Sequence, residues 1–291
     1  MAALQFGVNI PTSAGDGADP VGDAQRAEEL GFEFVSSSDH PGVTSPNHET
    51  WTMLTWIAAS TSRIGIATRV LGVPLRPPAL VAKMAATLDE LSGGRLVLGL
   101  GGGSGDDEFR AFGLGLPSPR EKTDGLEDAV TIIRGLWSEP HFTHKGRRYS
   151  TEEAELEPKP RRRIPIWLGT FAPRALAVTG RLADGWIPSL GYADPDDVPG
   201  MRERILGAAR KAGRDPDEIT CVFNVEVRID GKEGDEPSVV SGSADEVAER
   251  LAGFVGLGFS ALNFMPPTGP EYGEQVERLA REVIPAVRNA A

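Results

Sequence analysis

Eight short apolar runs, each followed by an amphipathic helical stretch, recur along the whole chain. The runs are Leu4–Ile10, Phe32–Ser38, Arg63–Val70, Arg95–Gly99, Pro165–Gly169, Gly185–Ser189, Glu218–Arg228 and Phe259–Met265. The helical stretches after them are Pro20–Leu30, Glu49–Ser60, Pro77–Leu91, Arg120–Trp137, Pro173–Leu182, Pro195–Ala212, Ser243–Gly256 and Tyr272–Val287. Glycine just past a helix end (Gly31, Gly93, Gly213) and proline in a first turn mark stops and starts. Strands alternating with helices pair in parallel through right-handed crossovers. Eight such units close into a (β/α)8 TIM barrel; a doubly wound open sheet is the competing arrangement and seldom needs so many. Two stretches break the alternation: the basic His141–Arg163, and the acidic turn 230–237. The expectation is an α/β fold, one barrel domain over residues 1–291, with insertions after helix 4 and strand 7.

With 40% apolar and 25% charged residues, the 291-residue chain can bury a large core. A net charge of −12 argues against nucleic acid or an anionic membrane as partner, since both demand a basic face. No apolar run reaches the ~20 residues needed to span a bilayer, and no signal peptide is evident, so a cytoplasmic location is expected. The single Cys221, inside the run CVFNVEV, reads as a buried small hydrophobe. Four His and one Cys supply no evident metal-binding set, and no Gly-x-Ser-x-Gly elbow of a serine hydrolase occurs.

In a barrel, chemistry gathers where the strands' C-terminal ends open. Four strand ends carry unusual residues. After strand two, His40 follows Asp39; an imidazole there can hydrogen-bond a ligand or move a proton, or the pair can be a helix cap with a structural His. After strand three comes the apolar turn Leu71-Gly72-Val73-Pro74, suited to packing on something flat. After strand four, Gly99–Gly105 lets backbone N–H groups approach a ligand, with Asp106-Asp107-Glu108 behind it as proton donors or as helix caps. This is neither a Rossmann fingerprint nor a P-loop. After strand five, Gly169-Thr170-Phe171-Ala172-Pro173-Arg174 starts a helix whose free N–H groups form an anion site, with Thr170 and Arg174 adding donors.

The chain resembles the bacterial luciferase-like monooxygenase superfamily, in its coenzyme F420-dependent branch. The resemblance rests on Ser38-Asp39-His40, on TRVLGVPLRPP at Thr68–Pro78, and on GRLVLGLGGGSGDDEFRAF within Leu88–Phe112. It extends through Leu136-Trp137, Glu157-Pro158-Lys159-Pro160, Ile166-Trp167-Leu168-Gly169 and Ala183-Asp184-Gly185-Trp186. It implies an oxidoreductase that moves a hydride between the deazaflavin and a small organic substrate, with His40 catalytic. Asp39 and His40 would contact the deazaflavin head, and Leu71, Gly72 and Val73 would back the ring, with a non-prolyl cis bond at Gly72–Val73. Gly101, Gly102, Gly103 and Ser104 would line its tail; Gly169, Thr170, Phe171, Ala172 and Arg174 would hold its phosphate. Arg161 to Arg163 would meet its polyglutamate, unless they are simply a solvated face. The resemblance also implies a homodimer. Alternatives are an FMN-dependent monooxygenase fed by a separate cofactor reductase, and a non-catalytic flavin-binding barrel. Trp51 and Trp56 line the pocket or belong to the core. Pro41 stands where many relatives carry an aromatic, and Glu108 reads as a helix-start residue rather than the family's acid.

Overall fold

Helix ends follow the side chains that can satisfy loose backbone groups. Asp19 caps α1 (Pro20–Leu30) by accepting from Gly22 N, and Gly31 ends it with φ 86°. Glu49 caps α2 (Thr50–Ser60), and α3 spans Pro78–Leu91. The short α4 (Asp106–Ala111) precedes α5 (Pro119–Ser138), which opens on a reciprocal Ser118–Glu121 capping box. Helices α6 (Pro173–Leu182), α7 (Val198–Lys211) and α8 (Ala244–Gly256) follow, α8 with a Ser243–Glu246 capping box. Helix α9 (Tyr272–Arg278) runs through a π-helical turn, Leu279–Val283, into α10 (Ile284–Ala290).

The computed structural model describes residues 3–42, 44–231 and 238–290. Its strands are β1 (Gln5–Asn9), β2 (Phe34–Ser37), β3 (Gly65–Thr68), β4 (Leu71–Gly72), β5 (Leu96–Gly101), β6 (Phe142–Lys145), β7 (Ser150–Ala154), β8 (Ile166–Gly169), β9 (Gly185–Trp186), β10 (Thr220–Ile229), β11 (Val239–Gly242) and β12 (Ala261–Met265). Parallel pairing runs β1-β2-β3-β5-β8-β9-β10-β12 and returns to β1, closing an eight-stranded barrel; β4 pairs with β5 further along from β3, and β11 pairs with the end of β10. The expected TIM barrel is therefore the fold. The stretch after α5 is an antiparallel hairpin, β6 with β7. Much of the acidic turn 230–237, namely 232–237, lies outside the described residues. Among the described residues, no helix is long and apolar enough to cross a membrane.

Strand alternation builds the barrel interior in layers. The lowest is apolar: Phe34, Ala67, Trp167, Val222 and Ala261 form one buried cluster, with Phe34 edge-on to Trp167. Gly7 and Gly185 leave the space that these two rings fill. Two residues further along, the same strand faces carry a polar layer. Ser36 Oγ donates to Asn263 Oδ1 (3.0 Å), Asn263 Nδ2 to Asn224 Oδ1 (2.8 Å), and Asn224 Nδ2 to Ser189 Oγ (3.1 Å). Buried polar groups must be paired, and this chain pairs them side to side across the barrel. Cys221 is buried, and burial pushes its thiol up, as expected of a small hydrophobe.

Candidate active site

Above the polar layer, at the C-terminal ends of the strands, lies a cavity of about 450 Å³. That is within the range of ligand pockets, about 300–1,000 Å³. A larger groove between α6 and α7 lies outside the barrel, lined by Ala177, Arg181, Arg204 and Lys211, away from every strand end. The barrel-mouth cavity is therefore the candidate site.

Its walls come from successive strand ends. They comprise Ser38, Asp39 and His40 after β2, Arg69 and Val70 after β3, Gly72 in β4, and Gly101 to Ser104 after β5. Gly169 to Ala172 follow β8, Ile187 and Ser189 follow β9, and Asn224 rises from β10. Lys122 of α5 and Phe109 of α4 close one flank. Eleven of the fourteen sequence-predicted site positions thus meet in one cavity: Asp39, His40, Gly72, Gly101, Gly102, Gly103, Ser104, Gly169, Thr170, Phe171 and Ala172. Leu71 and Val73 turn into the core. Arg174 is held away by an ion pair with Asp124, which Arg147 of the β6–β7 hairpin also reaches at 3.1 Å.

His40 is half-exposed toward the cavity, and its Nδ1 lies 2.9 Å from Glu108 Oε2. A carboxylate only accepts, so Nδ1 carries the proton and Nε2 is the free nitrogen. Among the described residues Nε2 has no hydrogen-bond partner. Glu108 Oε1 accepts from Gly42 N at 2.8 Å, fixing the carboxylate from behind. The three acids of α4 divide their work: Asp107 pairs with Arg110, Asp106 with Lys122, and Glu108 with His40. Glu108 is thus more than the helix-start residue the sequence indicated.

Asp39 is buried and committed. Its Oδ2 accepts from Arg76 Nη1 (2.7 Å) and Gly72 N (3.0 Å), and Oδ1 from Arg76 Nη2 (3.0 Å). It thereby ties the β2 end to the loop that carries β4.

Two expectations are corrected. The non-prolyl cis bond is Arg69–Val70, not Gly72–Val73. Leu71 and Gly72 are in register with Leu100 and Gly101, so the irregular joint falls between the paired segments β3 and β4. Val70 there projects over the glycines: a Cβ on Gly101 would stand 2.6 Å from Val70 Cγ2, and one on Gly169 3.3 Å. Second, Arg161, Arg162 and Arg163 pair with Glu90, Asp89 and Asp184. They lie at the N-terminal ends of the strands, where Arg162 also binds the Leu96 carbonyl that starts β5. A ligand tail leaving the cavity would exit at the opposite end of the barrel.

The anion site at α6 keeps part of its expected form. Ala172 provides no side-chain cap, so the first-turn N–H groups are not satisfied by one. Thr170 does not supplement them, because its hydroxyl bonds Thr179 Oγ1 at 2.7 Å. Gly103, at φ 88°, could not take a side chain without meeting the Phe109 ring. Trp51 is core and Trp56 exposed; neither lines the cavity.

Sequence reading missed Arg69, Val70, Lys122, Ser189 and Asn224. Three of these follow from period two, since Ala67 and Arg69, Ile187 and Ser189, and Val222 and Asn224 share inward faces; Val70 enters only through the irregular joint after Arg69. Lys122 sits on α5, eighteen residues past Ser104, with no local signal.

Residues 4–236 match the family model described as luciferase-like monooxygenase. A protein of Microbacterium testaceum named F420-dependent glucose-6-phosphate dehydrogenase is 30% identical, over 90% of this chain and 91% of its own. One of that name from Nakamurella multipartita is 29% identical, over 90% and 92%. Among solved structures, an F420-dependent secondary alcohol dehydrogenase in complex with an F420-acetone adduct superposes with TM-score 0.86 at 21% identity, covering 98% of this chain and 99% of that one. The coenzyme F420-dependent tetrahydromethanopterin reductase of Methanopyrus kandleri gives 0.84, also at 21%, covering 98% and 99%. At such identity the structural matches show the shared fold.

Proposed function

The chain belongs to the luciferase-like monooxygenase family, and on that footing we propose that it is an F420-dependent oxidoreductase. The observation that carries the reading is the His40–Glu108 pair, set at one side of a cavity whose other side is a glycine-and-valine cradle. The relatives named F420-dependent span nearly the whole chain, which supports the same cofactor here.

The residues fit such a group. A flat ring needs a smooth apolar wall, and Val70, seated so close on Gly101 and Gly169 that a Cβ on either would press against it, provides one. A phosphate needs donors, and the uncapped start of α6 offers backbone N–H groups. When bound, the deazaflavin supplies a carbon that exchanges hydride with substrate; the protein orients and controls the proton. Nε2 of His40 takes the proton of a substrate hydroxyl as its carbon is oxidised, or returns it to a carbonyl in reduction. Glu108 keeps that nitrogen aimed and stabilises the imidazolium that results. Asp39 sets the wall itself through Arg76 and Gly72.

Fluorescence-quenching titrations of the protein with F420 and, separately, with FMN test the proposal. Tighter binding of F420 is expected; tighter binding of FMN, or of neither, would refute it.

A further inference from the structure

The barrel's arginines are mostly spent on protein partners. Arg95 donates to Ser92, Thr61, Ile64 and Ala58, and Arg76 divides between Asp39 and Glu49. Arg69 differs. Its Nε donates to Asn9 Oδ1 at 3.1 Å, and among the described residues neither terminal nitrogen has a hydrogen-bond partner and no carboxylate pairs with it. Glu226, exposed further along β10, acts on it only at longer range. Burial lowers its pKa to about 10, so it is a cation at neutral pH. The other cation of the cavity, Lys122, is taken by Asp106 and lies over the Phe109 ring.

Arg69 therefore presents an oriented, incompletely partnered fork to the cavity, on the inward face that also carries Ala67. The fork is half-buried and open to the cavity, and a guanidinium fork matches the two oxygens of a carboxylate or phosphate. We infer that Arg69 anchors the substrate by an anionic group, carboxylate or phosphate, held by both terminal nitrogens. This rests on the oxidoreductase reading and adds the substrate's class. Asn9 sets the fork's angle, and Ser189, whose oxygen accepts from Asn224 but whose hydroxyl proton is unspent among the described residues, faces the same cavity as a donor for the uncharged part of the substrate.

The test is calorimetric titration of F420-loaded protein with inorganic phosphate and, separately, with acetate, in wild type, Arg69→Gln and Arg69→Lys. F420 affinity is measured first by fluorescence quenching. We expect the wild type to bind at least one anion, the preferred one identifying the group. Arg69→Gln should weaken it by about tenfold or more, equivalent to about 1.4 kcal/mol. Arg69→Lys, which keeps charge but not the fork, should lie between them. Binding of neither anion by loaded wild type, or equal affinity in Arg69→Gln, overturns the inference. Should Arg69→Gln fail to fold, Arg69→Lys decides: unchanged affinity refutes, weakened affinity supports. If F420 does not bind, the cofactor reading falls, and the same titrations of the empty protein still decide whether Arg69 holds the anion.

Discussion

Asp39 offers two opposed outcomes. The family resemblance makes it a cofactor contact, whereas the structure makes it a tie between the β2 end and the β4 loop. Its side chain is 1% exposed and that of Arg76 14% exposed. Removing one partner of a buried ion pair costs about 3–5 kcal/mol. Arg76 keeps Glu49 at 2.5 Å, a more exposed carboxylate, which places the loss near the bottom of that range, ~3 kcal/mol. The Gly72 N–H also loses its acceptor, at about 1–3 kcal/mol, and its position on the cavity wall lets water recover part of that. Asp39→Ala should therefore destabilise by ~4 kcal/mol. Asp39→Asn keeps an acceptor for Gly72 or Arg76 but not the charge, and should cost about half as much, ~2 kcal/mol. The assay is urea unfolding at pH 7, comparing midpoints at constant slope. A double-mutant cycle with Arg76→Met should return a coupling of ~1.5 kcal/mol or more. If Asp39→Ala unfolds within about 1 kcal/mol of wild type but loses F420 affinity, the structural argument is wrong and the cofactor-contact role is right.

Gly101→Ala should push against Val70, whose β-branched side chain cannot turn aside freely. F420 affinity should fall by about tenfold or more, with a stability loss of only ~1–3 kcal/mol; unchanged affinity in a titration would refute the cradle. Glu108→Ala should lower kcat for F420 turnover by ~100-fold with little change in KM, because His40 loses its orientation; Glu108→Gln, which can still accept from Nδ1, should recover part of it. Burial, with Asp19 beside it, raises the Asp23 carboxyl to about 6. The folded pKa exceeds the unfolded one, so stability is highest below the unfolded value and falls as pH rises to about 6. Asp23→Asn should thus gain ~1 kcal/mol at pH 7.5, discounted for the group's partial exposure, and nothing at pH 4, in paired urea titrations. Glu28 is the opposite case: desolvation opposes its charge, but the N–H groups of Ile64, Arg63 and Ser62 prevail and hold it down to about 2. Its contribution is present above about pH 4.5 and lost toward pH 2, so Glu28→Gln should destabilise at pH 7 and match wild type at the acid end.

What the sequence reveals depends on how far apart the determinants lie. Helix ends were legible because their causes are local: α1 and α6 run from Pro20 to Leu30 and from Pro173 to Leu182, as expected from proline starts and the breaks after them. The barrel was legible because eight alternations leave few ways to bury eight apolar strands. The clustering of His40, Gly101 and Gly169 followed from the fold alone, since all lie just past strand ends. The partners of the side chains were not legible. Arg174 looked like a phosphate ligand by its place in α6, but Asp124, fifty residues earlier, takes it. Arg161 to Arg163 looked free as a charge run, yet each meets an acid brought up from elsewhere in the chain, two from the end of α3 and one from the turn before β9. Glu108 shows the converse: it reads as an ordinary first-turn acid until β2 brings His40 to it across 68 residues. Charge pairing is thus the part of the site that only closure of the barrel decides. It also separates Arg69 from Arg76, Arg162 and Arg174: the fold delivers acids to those three, whereas Arg69 is turned inward with Asn9 for company and its two terminal nitrogens toward the cavity.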